Sequence, residues 1–222
     1  MLLAKTEQGK TAFQLAAQEN QTEVLQKLWV WAAESKENTN EIKKHLLLDK
    51  DKDGYTAWHI AALFDGLEAL ETLRHSAEEL ELNLDEMLLA ETEEGQTAFH
   101  LAAQQNHMEI LQKLWVWAQK CQMNPNELKK KLLLAKDEKG YIAWHHAAWF
   151  GRLEALKTLW SWAKEVEIKL DEFLLVETEE GRTAFQMAAW KNHTEILQKL
   201  WVWAEKCQTN RNELRKKLLL AK

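Results

Sequence analysis

Gly54 to Ala62 reads GYTAWHIAA, and the chain restates this stretch four more times. The copies begin at Gly9 (GKTAFQLAA), Gly95 (GQTAFHLAA), Gly140 (GYIAWHHAA) and Gly181 (GRTAFQMAA). Self-similarity at a fixed spacing is the signature of repeat architectures, in which each unit contacts only its neighbours. The stretch therefore predicts one elongated domain over residues 1–222, built from about five units that we number 1 to 5.

Two forms of the unit alternate along the chain. The anchor glycines are 45, 41, 45 and 41 residues apart, so units 1, 3 and 5 are long and units 2 and 4 are short. Each contains a polar turn ending in Gly, a first helix, a tight connection, a second helix and a leucine-rich tail. Residues 218–222 stop where the similar residues 132–136 run on into another unit. We therefore expect a segment of a longer array.

Composition and charge narrow the class of protein. Hydrophobic residues make up 46% of the chain, with 7 Gly and 1 Pro, which favours helix over disorder or a loop-rich β fold. The net charge of −6 disfavours nucleic-acid binding, which needs a concentrated basic surface. No stretch approaches the ~20 apolar residues of a membrane span. We expect a monomeric, intracellular, cytoplasmic protein whose equivalently placed Cys121 and Cys207 stay reduced.

The first helix carries start and stop signals in every unit. A threonine two residues after the anchor glycine is placed to cap the helix in four units, at Thr11, Thr56, Thr97 and Thr183. Ile142 replaces it in unit 4 and should weaken that cap. The predicted helix ends are residue types that tolerate the left-handed conformation: Asn20, Asp65, Asn106, Gly151 and Asn192. Paired alanines between start and stop are small enough for neighbouring helices to approach closely.

The sequence of the second helix indicates that a further helix covers its outer side. The run from Leu114 to Ala118 is apolar at five consecutive positions, which favours burial nearly all round. In the tail that follows, Asn124 is a capping residue, Pro125 suits the first helical position and Glu127 is an acid three residues after the cap. We therefore predict an extra short helix in the longer units, with a briefer segment at residues 170–175 and its counterpart in the short units.

These residues resemble ankyrin repeats, whose signature is Gly-x-Thr-Pro-Leu-His-x-Ala-Ala followed by a second helix. GYTAWHIAA matches at Gly, Thr, His and both alanines, and the resemblance recurs in all five units. It implies an all-α, ankyrin-like helical repeat solenoid in which the Thr and His form structural hydrogen bonds. Ala replaces the signature Pro, each unit exceeds the usual ~33 residues by its tail, and Gln14 and Gln186 replace the His. The His hydrogen bond is therefore not expected in every unit.

No catalytic, metal or cofactor site is predicted. Asp49, Asp51 and Asp53 match the opening of a calcium-binding loop, but the twelfth position is Ile60 instead of a bidentate Glu, so a solvated acidic turn is favoured. His145 and the adjacent His146 point about 100° apart on a helix, which favours a core histidine beside a surface one. The other carboxylates fall in turns and on helix faces where a catalytic pKa shift is not expected.

The 12 tryptophans allow two interpretations. Four pairs are spaced i, i+2, so their members point to nearly opposite helix sides, one between helix layers and one under the tail: Trp29/Trp31, Trp115/Trp117, Trp160/Trp162 and Trp201/Trp203. Trp149 and Trp190, near the ends of first helices, are instead candidate binding anchors.

The leading functional hypothesis is a non-catalytic scaffold that binds a protein partner through the concave surface of turns and first helices. The candidate partner-binding residues are Tyr55, Gln96, Lys139, Tyr141 and Arg182 at the turns, and Phe64, Gln104, Trp149, Phe150 and Trp190 on the first helices. The alternative is a structural or spacer array, consensus-like or engineered, with no dedicated ligand. The near-identity of residues 109–136 and 195–222 favours that alternative.

Overall fold

The computed structural model describes residues 2–35, 38–207 and 211–220, and each unit contributes three helices. The first helices are α1 (Ala12–Gln18), α4 (Ala57–Leu63), α7 (Ala98–Gln105), α10 (Ala143–Trp149) and α13 (Ala184–Trp190). The second helices are α2 (Thr22–Glu34), α5 (Leu67–Glu79), α8 (Met108–Trp117), α11 (Leu153–Glu165) and α14 (Thr194–Lys206). The third helices are α3 (Thr39–Leu48), α6 (Leu84–Leu88), α9 (Pro125–Leu134), α12 (Leu170–Leu174) and α15 (Arg211–Leu220). The predicted all-α repeat solenoid is confirmed.

The first helices stack against one another in chain order. Ala102 and Ala103 of α7 are completely buried between α4 and α10, as the small-residue argument requires. Every predicted helix end has a positive φ, with Asn20 at 52° and Asn106 at 65°. Asparagine has a further use here, because the Asn20 Oδ1 accepts the Ala69 N–H at 2.8 Å and so caps a helix of the next unit.

The turns stack as closely as the helices. Gly140 has φ +74°, and a Cβ added there would lie 2.7 Å from the backbone nitrogen of Glu179 in the next turn. That nitrogen donates to the Lys139 carbonyl at 3.1 Å, and main-chain bonds of the same kind join the turns of units 1 and 2 and of units 3 and 4. The anchor glycine is therefore required by the turn's own conformation and by the approach of the following turn.

The third helix is present in both forms of the unit. It has ten residues in unit 3 and five in unit 4. In unit 3 the Asn124 Oδ1 accepts the N–H groups of Asn126 and Glu127 at 3.0 and 3.3 Å, and Pro125 occupies the first helical position. The predicted start of this helix is confirmed, and the short units carry a half-length version of it.

The second helix is less enclosed than its sequence predicted. Leu114, Trp115, Trp117 and Ala118 are buried, but Val116 is 49% exposed. The expectation of burial on every side is therefore wrong. The reason is that α9 packs mainly on the single turn of 3₁₀ helix, Ala118–Lys120, that follows α8, which leaves one flank of α8 open to solvent.

The paired tryptophans pack across the boundaries between units. Trp115 stacks on Trp162 of the next unit, with ring centroids 4.5 Å apart and planes 7° from parallel. Trp160 stacks on Trp203 in the same way at 4.8 Å. Core packing is thus found for these pairs, whereas Trp31 in unit 1 is 53% exposed and is an exception. Stacked tryptophans therefore join unit 3 to unit 4 and unit 4 to unit 5.

A repeated clamp fastens the third helices of units 1 and 3 to the unit that follows each of them. Lys129 of α9 has a side chain only 4% exposed, and its Nζ lies 2.8 Å from Glu165 Oε1 of α11. The Trp115 Nε1 donates to the other oxygen of Glu165 at 3.3 Å, and Lys129 lies over the Trp115 ring. The same arrangement joins Lys43, Glu79 and Trp29. One glutamate therefore holds both the tail helix and the tryptophan of the preceding unit.

Glu165→Ala is expected to lower the free energy of unfolding by about 2 kcal/mol, because it leaves the buried Lys129 ammonium without its anion. Lys129→Met should cost less than about 1 kcal/mol, since it keeps the apolar stem and leaves only a half-exposed carboxylate. Equilibrium urea denaturation measures both. Glu154→Ala, which removes an exposed pair with Lys157, is the matched control. Equal losses for Glu165→Ala and Glu154→Ala would contradict the clamp.

Candidate protein interface

The repeated Thr and His form an internal support. The Nδ1 of His59 accepts the Thr56 N–H at 3.3 Å, and its Nε2 lies 2.9 Å from the Ala90 carbonyl, which precedes the next turn. Gln14 forms the same two links in unit 1, since its Oε1 accepts the Thr11 N–H and its Nε2 donates to main-chain carbonyls of the next turn. The His hydrogen bond is therefore not universal, as expected, but in unit 1 Gln14 makes the equivalent links.

Unit 4 retains half of the helix cap. Ile142 has no side-chain acceptor, so the bond that the threonine oxygen accepts from a main-chain N–H in units 1, 3 and 5 is missing there. Its N–H nevertheless donates to His145 Nδ1 at 3.1 Å, and the His145 N–H bonds the Ile142 carbonyl at 2.9 Å. The side chain three residues after the cap thus fixes the helix start even without the threonine.

Burial keeps the supporting histidines neutral. It lowers the pKa of His59, His100 and His145 to about 4. A neutral imidazole with a proton on Nε2 is also what the hydrogen bonds require, because Nδ1 accepts from the main chain. These rings are therefore uncharged structural links at neutral pH, not acid–base groups.

The expectation that one of the adjacent His145 and His146 lies on the surface is wrong. His146 is 4% exposed, so it is buried beside His145 and does not lie on the surface. Its Nε2 lies 2.9 Å from Asp137 Oδ2, and the other oxygen of Asp137 accepts the N–H groups of Lys139 and Tyr141. Burial acts to raise the pKa of Asp137, but these hydrogen bonds outweigh it and lower the pKa below its ordinary value.

In the acidic turn of unit 2, Lys52 and Asp53 are exposed as expected, but Asp51 is buried. Asp51 is 7% exposed, and its Oδ1 accepts the N–H groups of Asp53 and Tyr55 at 3.1 and 2.8 Å. Its carboxylate thus supports the turn that carries Tyr55. Within the described part of the chain, no group of three or more His, Cys, Asp and Glu side chains is arranged to hold a metal ion.

The candidate binding residues differ in how much they expose. Phe64 is 47% exposed and Phe150 39%, and Lys139 is also exposed. Half-buried positions are occupied by Tyr55, Gln104, Tyr141, Trp149 and Arg182. Gln96 is only 8% exposed, so it offers little side chain to a partner.

Four side chains come together at the ends of α10 and α13, and we call them the tryptophan cluster. Trp149 and Trp190 meet edge to face with centroids 5.6 Å apart. The Arg182 guanidinium lies 4.4 Å from the Trp190 ring centre, and the Lys191 ammonium lies 4.0 Å from that of Trp149. Trp190 is still 61% exposed. Sequence reasoning named three of these residues and missed Lys191, whose only signal is its position directly after Trp190.

The scaffold fixes the position of the cluster. Gly151, with φ +71°, ends α10 directly after Phe150. The Trp149 carbonyl is bonded by His193 Nε2 of unit 5 at 3.0 Å. The first of the two tryptophans is therefore held by main-chain contacts to the unit that carries the second.

A family model for ankyrin repeats (3 copies) matches residues 29–126 and 78–170. The chain belongs to the ankyrin repeat family. No curated protein matches it. Ankyrin repeats generally act as protein–protein interaction modules. None of the helices described here combines the length and apolarity needed to cross a membrane.

The first ankyrin unit repeats the geometry of the cluster with other side chains. Lys10, at the position of Arg182, donates from Nζ to Gln18, at the position of Trp190, at 2.8 Å. Its Nζ also lies 5.9 Å from the Phe64 ring centre in unit 2. In units 1 and 5 the residue after the anchor glycine thus reaches the end of its own first helix, and the surface there is set by the two residues together.

Acid should destabilise this ankyrin array through its buried histidines. Their folded-state pKa of about 4 is below the unfolded value of about 6.5, so the unfolded chain protonates first. Stability is then full above pH 6.5 and is lost as the pH falls from 6.5 toward 4, by on the order of 3 kcal/mol for each histidine. Urea denaturation at a series of pH values measures the loss.

The chain supplies the control for this experiment in Gln14, which makes the same links without a titratable ring. The triple variant His59→Gln, His100→Gln, His145→Gln should lose most of the pH dependence between 6.5 and 4. An undiminished pH dependence in that folded variant would contradict the assignment.

Proposed function

We propose that this chain is a non-catalytic protein-interaction scaffold that binds its partner through the concave surface of turns and first helices. The tryptophan cluster is the observation that carries the proposal. A tryptophan 61% exposed and held beside a second tryptophan is a large, rigid apolar contact. Tryptophan and arginine are enriched among the residues that dominate binding energy at protein interfaces.

The charges of the cluster indicate the chemistry of the partner. Arg182 and Lys191 place two cations against the tryptophan rings, in a chain whose net charge is −6. An acidic segment with one large apolar side chain would gain from both features, through charge on approach and apolar contact with Trp190. Tyr141, Phe150 and Lys139 of unit 4 are proposed as further contacts for the partner. We take the chain to act as a cytoplasmic monomer without nucleic-acid or membrane ligands.

A structural array without a dedicated ligand is the second candidate. The near-identity of residues 109–136 and 195–222 favours it, because recently duplicated units have had little opportunity to specialise. The stacked tryptophans and the Lys–Glu–Trp clamps would serve such an array equally well. The two candidates differ at the cluster, since a spacer needs no exposed tryptophan there.

Selection from a displayed peptide library tests the proposal. We expect enriched peptides to combine acidic residues with an aromatic or aliphatic one. Trp190→Ala should lower the affinity of the chain for these peptides at least tenfold, and Trp149→Ala should lower it by a comparable amount, as measured by calorimetry. Arg182→Gln should lower the peptide affinity by a smaller factor and should reduce the dependence of that affinity on salt concentration.

Trp31→Ala is the matched control, because Trp31 is 53% exposed but lies on a second helix away from the cluster. It should leave peptide affinity unchanged. Peptides that bind Trp190→Ala as well as the parent chain would contradict this surface. Failure to enrich any peptide would favour the spacer array.

A further inference from the structure

A cleft of about 250 Å³ opens in the array where the tail helices of units 1 and 2 meet. Leu47 and Leu48 at the end of α3 form one wall, Met87 of α6 forms the other, and Trp58 of α4 also lines it. It contains none of the residues proposed for partner binding. Leu48 is 48% exposed, which extends the apolar surface out to solvent.

The repeat itself provides a comparison, because unit 4 follows unit 2 at a fixed offset of 86 residues. Each of three lining positions has a larger side chain in unit 4: Thr56 corresponds to Ile142, Met87 to Phe173 and Ala90 to Val176. Phe173 is 1% exposed and packs against Trp144 with ring centroids 4.8 Å apart. We therefore attribute the cleft to the smaller side chains that unit 2 has at these positions.

The polar groups of the cleft indicate which molecule fits. The side-chain oxygens of Asn83 and Thr56 already form hydrogen bonds, with the Asp85 N–H and with His59 Nδ1 respectively. Among the nine lining residues Glu86 is the only ionised one, and it is exposed. A bound anion would face this carboxylate, whereas a cation would be attracted by it.

The indole nitrogen of Trp58 is a further polar atom near the cleft, but it is not evidence for a ligand. The indole N–H of Trp58 is buried and has no acceptor within the described chain. Trp144 shares this property in unit 4, where Phe173 packs against its ring. The unpaired donor therefore does not distinguish a binding site from ordinary core.

We propose that this cleft binds a small apolar molecule that carries one ammonium group, with the alkyl part between Leu47, Trp58 and Met87 and the ammonium beside Glu86. At roughly 30 Å³ for each water-sized group, 250 Å³ accommodates about eight such groups. An octyl chain is therefore a suitable probe. The lining is apolar with one charged group at its edge, as is typical of small-molecule sites.

Calorimetric titration of the full chain with n-octylamine, 1-octanol and octanoate at pH 7 tests the proposal. We expect n-octylammonium to bind most tightly and octanoate most weakly. Met87→Phe, which introduces the residue found at the equivalent position Phe173, should lower the affinity for n-octylammonium at least tenfold because it fills the cleft. Glu86→Gln should lower the affinity for n-octylammonium about threefold and leave the affinity for 1-octanol unchanged, as expected for a solvent-exposed charge.

Two sets of controls make the result decisive. Glu109→Gln removes an exposed carboxylate far from the cleft and should change nothing. Thr56→Ile and Ala90→Val copy unit 4 at two other lining positions and replace Met87→Phe if that variant does not fold. The proposal is overturned if no probe binds, if octanoate binds as tightly as n-octylammonium, or if the filled variants bind n-octylammonium like the parent chain.

Discussion

A buried, uncharged side chain three residues after the helix cap links each unit to the next. His59 performs this role in unit 2, and Gln14 performs it in unit 1 with a different functional group. Each accepts a main-chain N–H at the start of the first helix and donates toward the turn that follows. Because both partners are main-chain atoms, the link sets the spacing of turns regardless of the surface residues. The stacking of glycine turns and first helices depends on that spacing.

The unusual length of these units is stabilised by a second set of contacts. Ordinary stacking of two-helix units would leave the third helix of a long unit attached only by its leucines. Here Glu165 binds Lys129 and Trp115 of the preceding unit at once, and Trp162 stacks on the same Trp115 ring. The third helix is thus integrated into the interface between units. The 86-residue period follows from this arrangement, because the glutamate belongs to a short unit and the lysine to a long one.

Most of the fold was predictable from the sequence, because its causes are local. Glycine spacing, left-handed helix ends such as Asn106, and the cap at Asn124 each depend on neighbouring residues, and all are found in the structure. Burial was harder to predict because it depends on contacts between units. Val116 is exposed and His146 is buried, and neither follows from helical periodicity alone. The candidate interface was predictable in the same part: Trp149 and Trp190 were recognisable from the sequence as unusual residues, but the position of Lys191 over Trp149 depends on contacts between units.

We propose that the repeated residues maintain the fold, while the variable residues between them determine binding. A substitution scan of residues 140–151 and 181–191, in which every variant is measured for both protease resistance and affinity for a selected peptide, tests it most directly. Changes at Gly140, His145 and Ala147 should lower resistance, and affinity should fall only as far as folding does. Changes at Trp149 and Trp190 should lower affinity in chains that remain fully resistant. A folded variant at His145 that no longer binds, or an unfolded one at Trp190, would contradict the account.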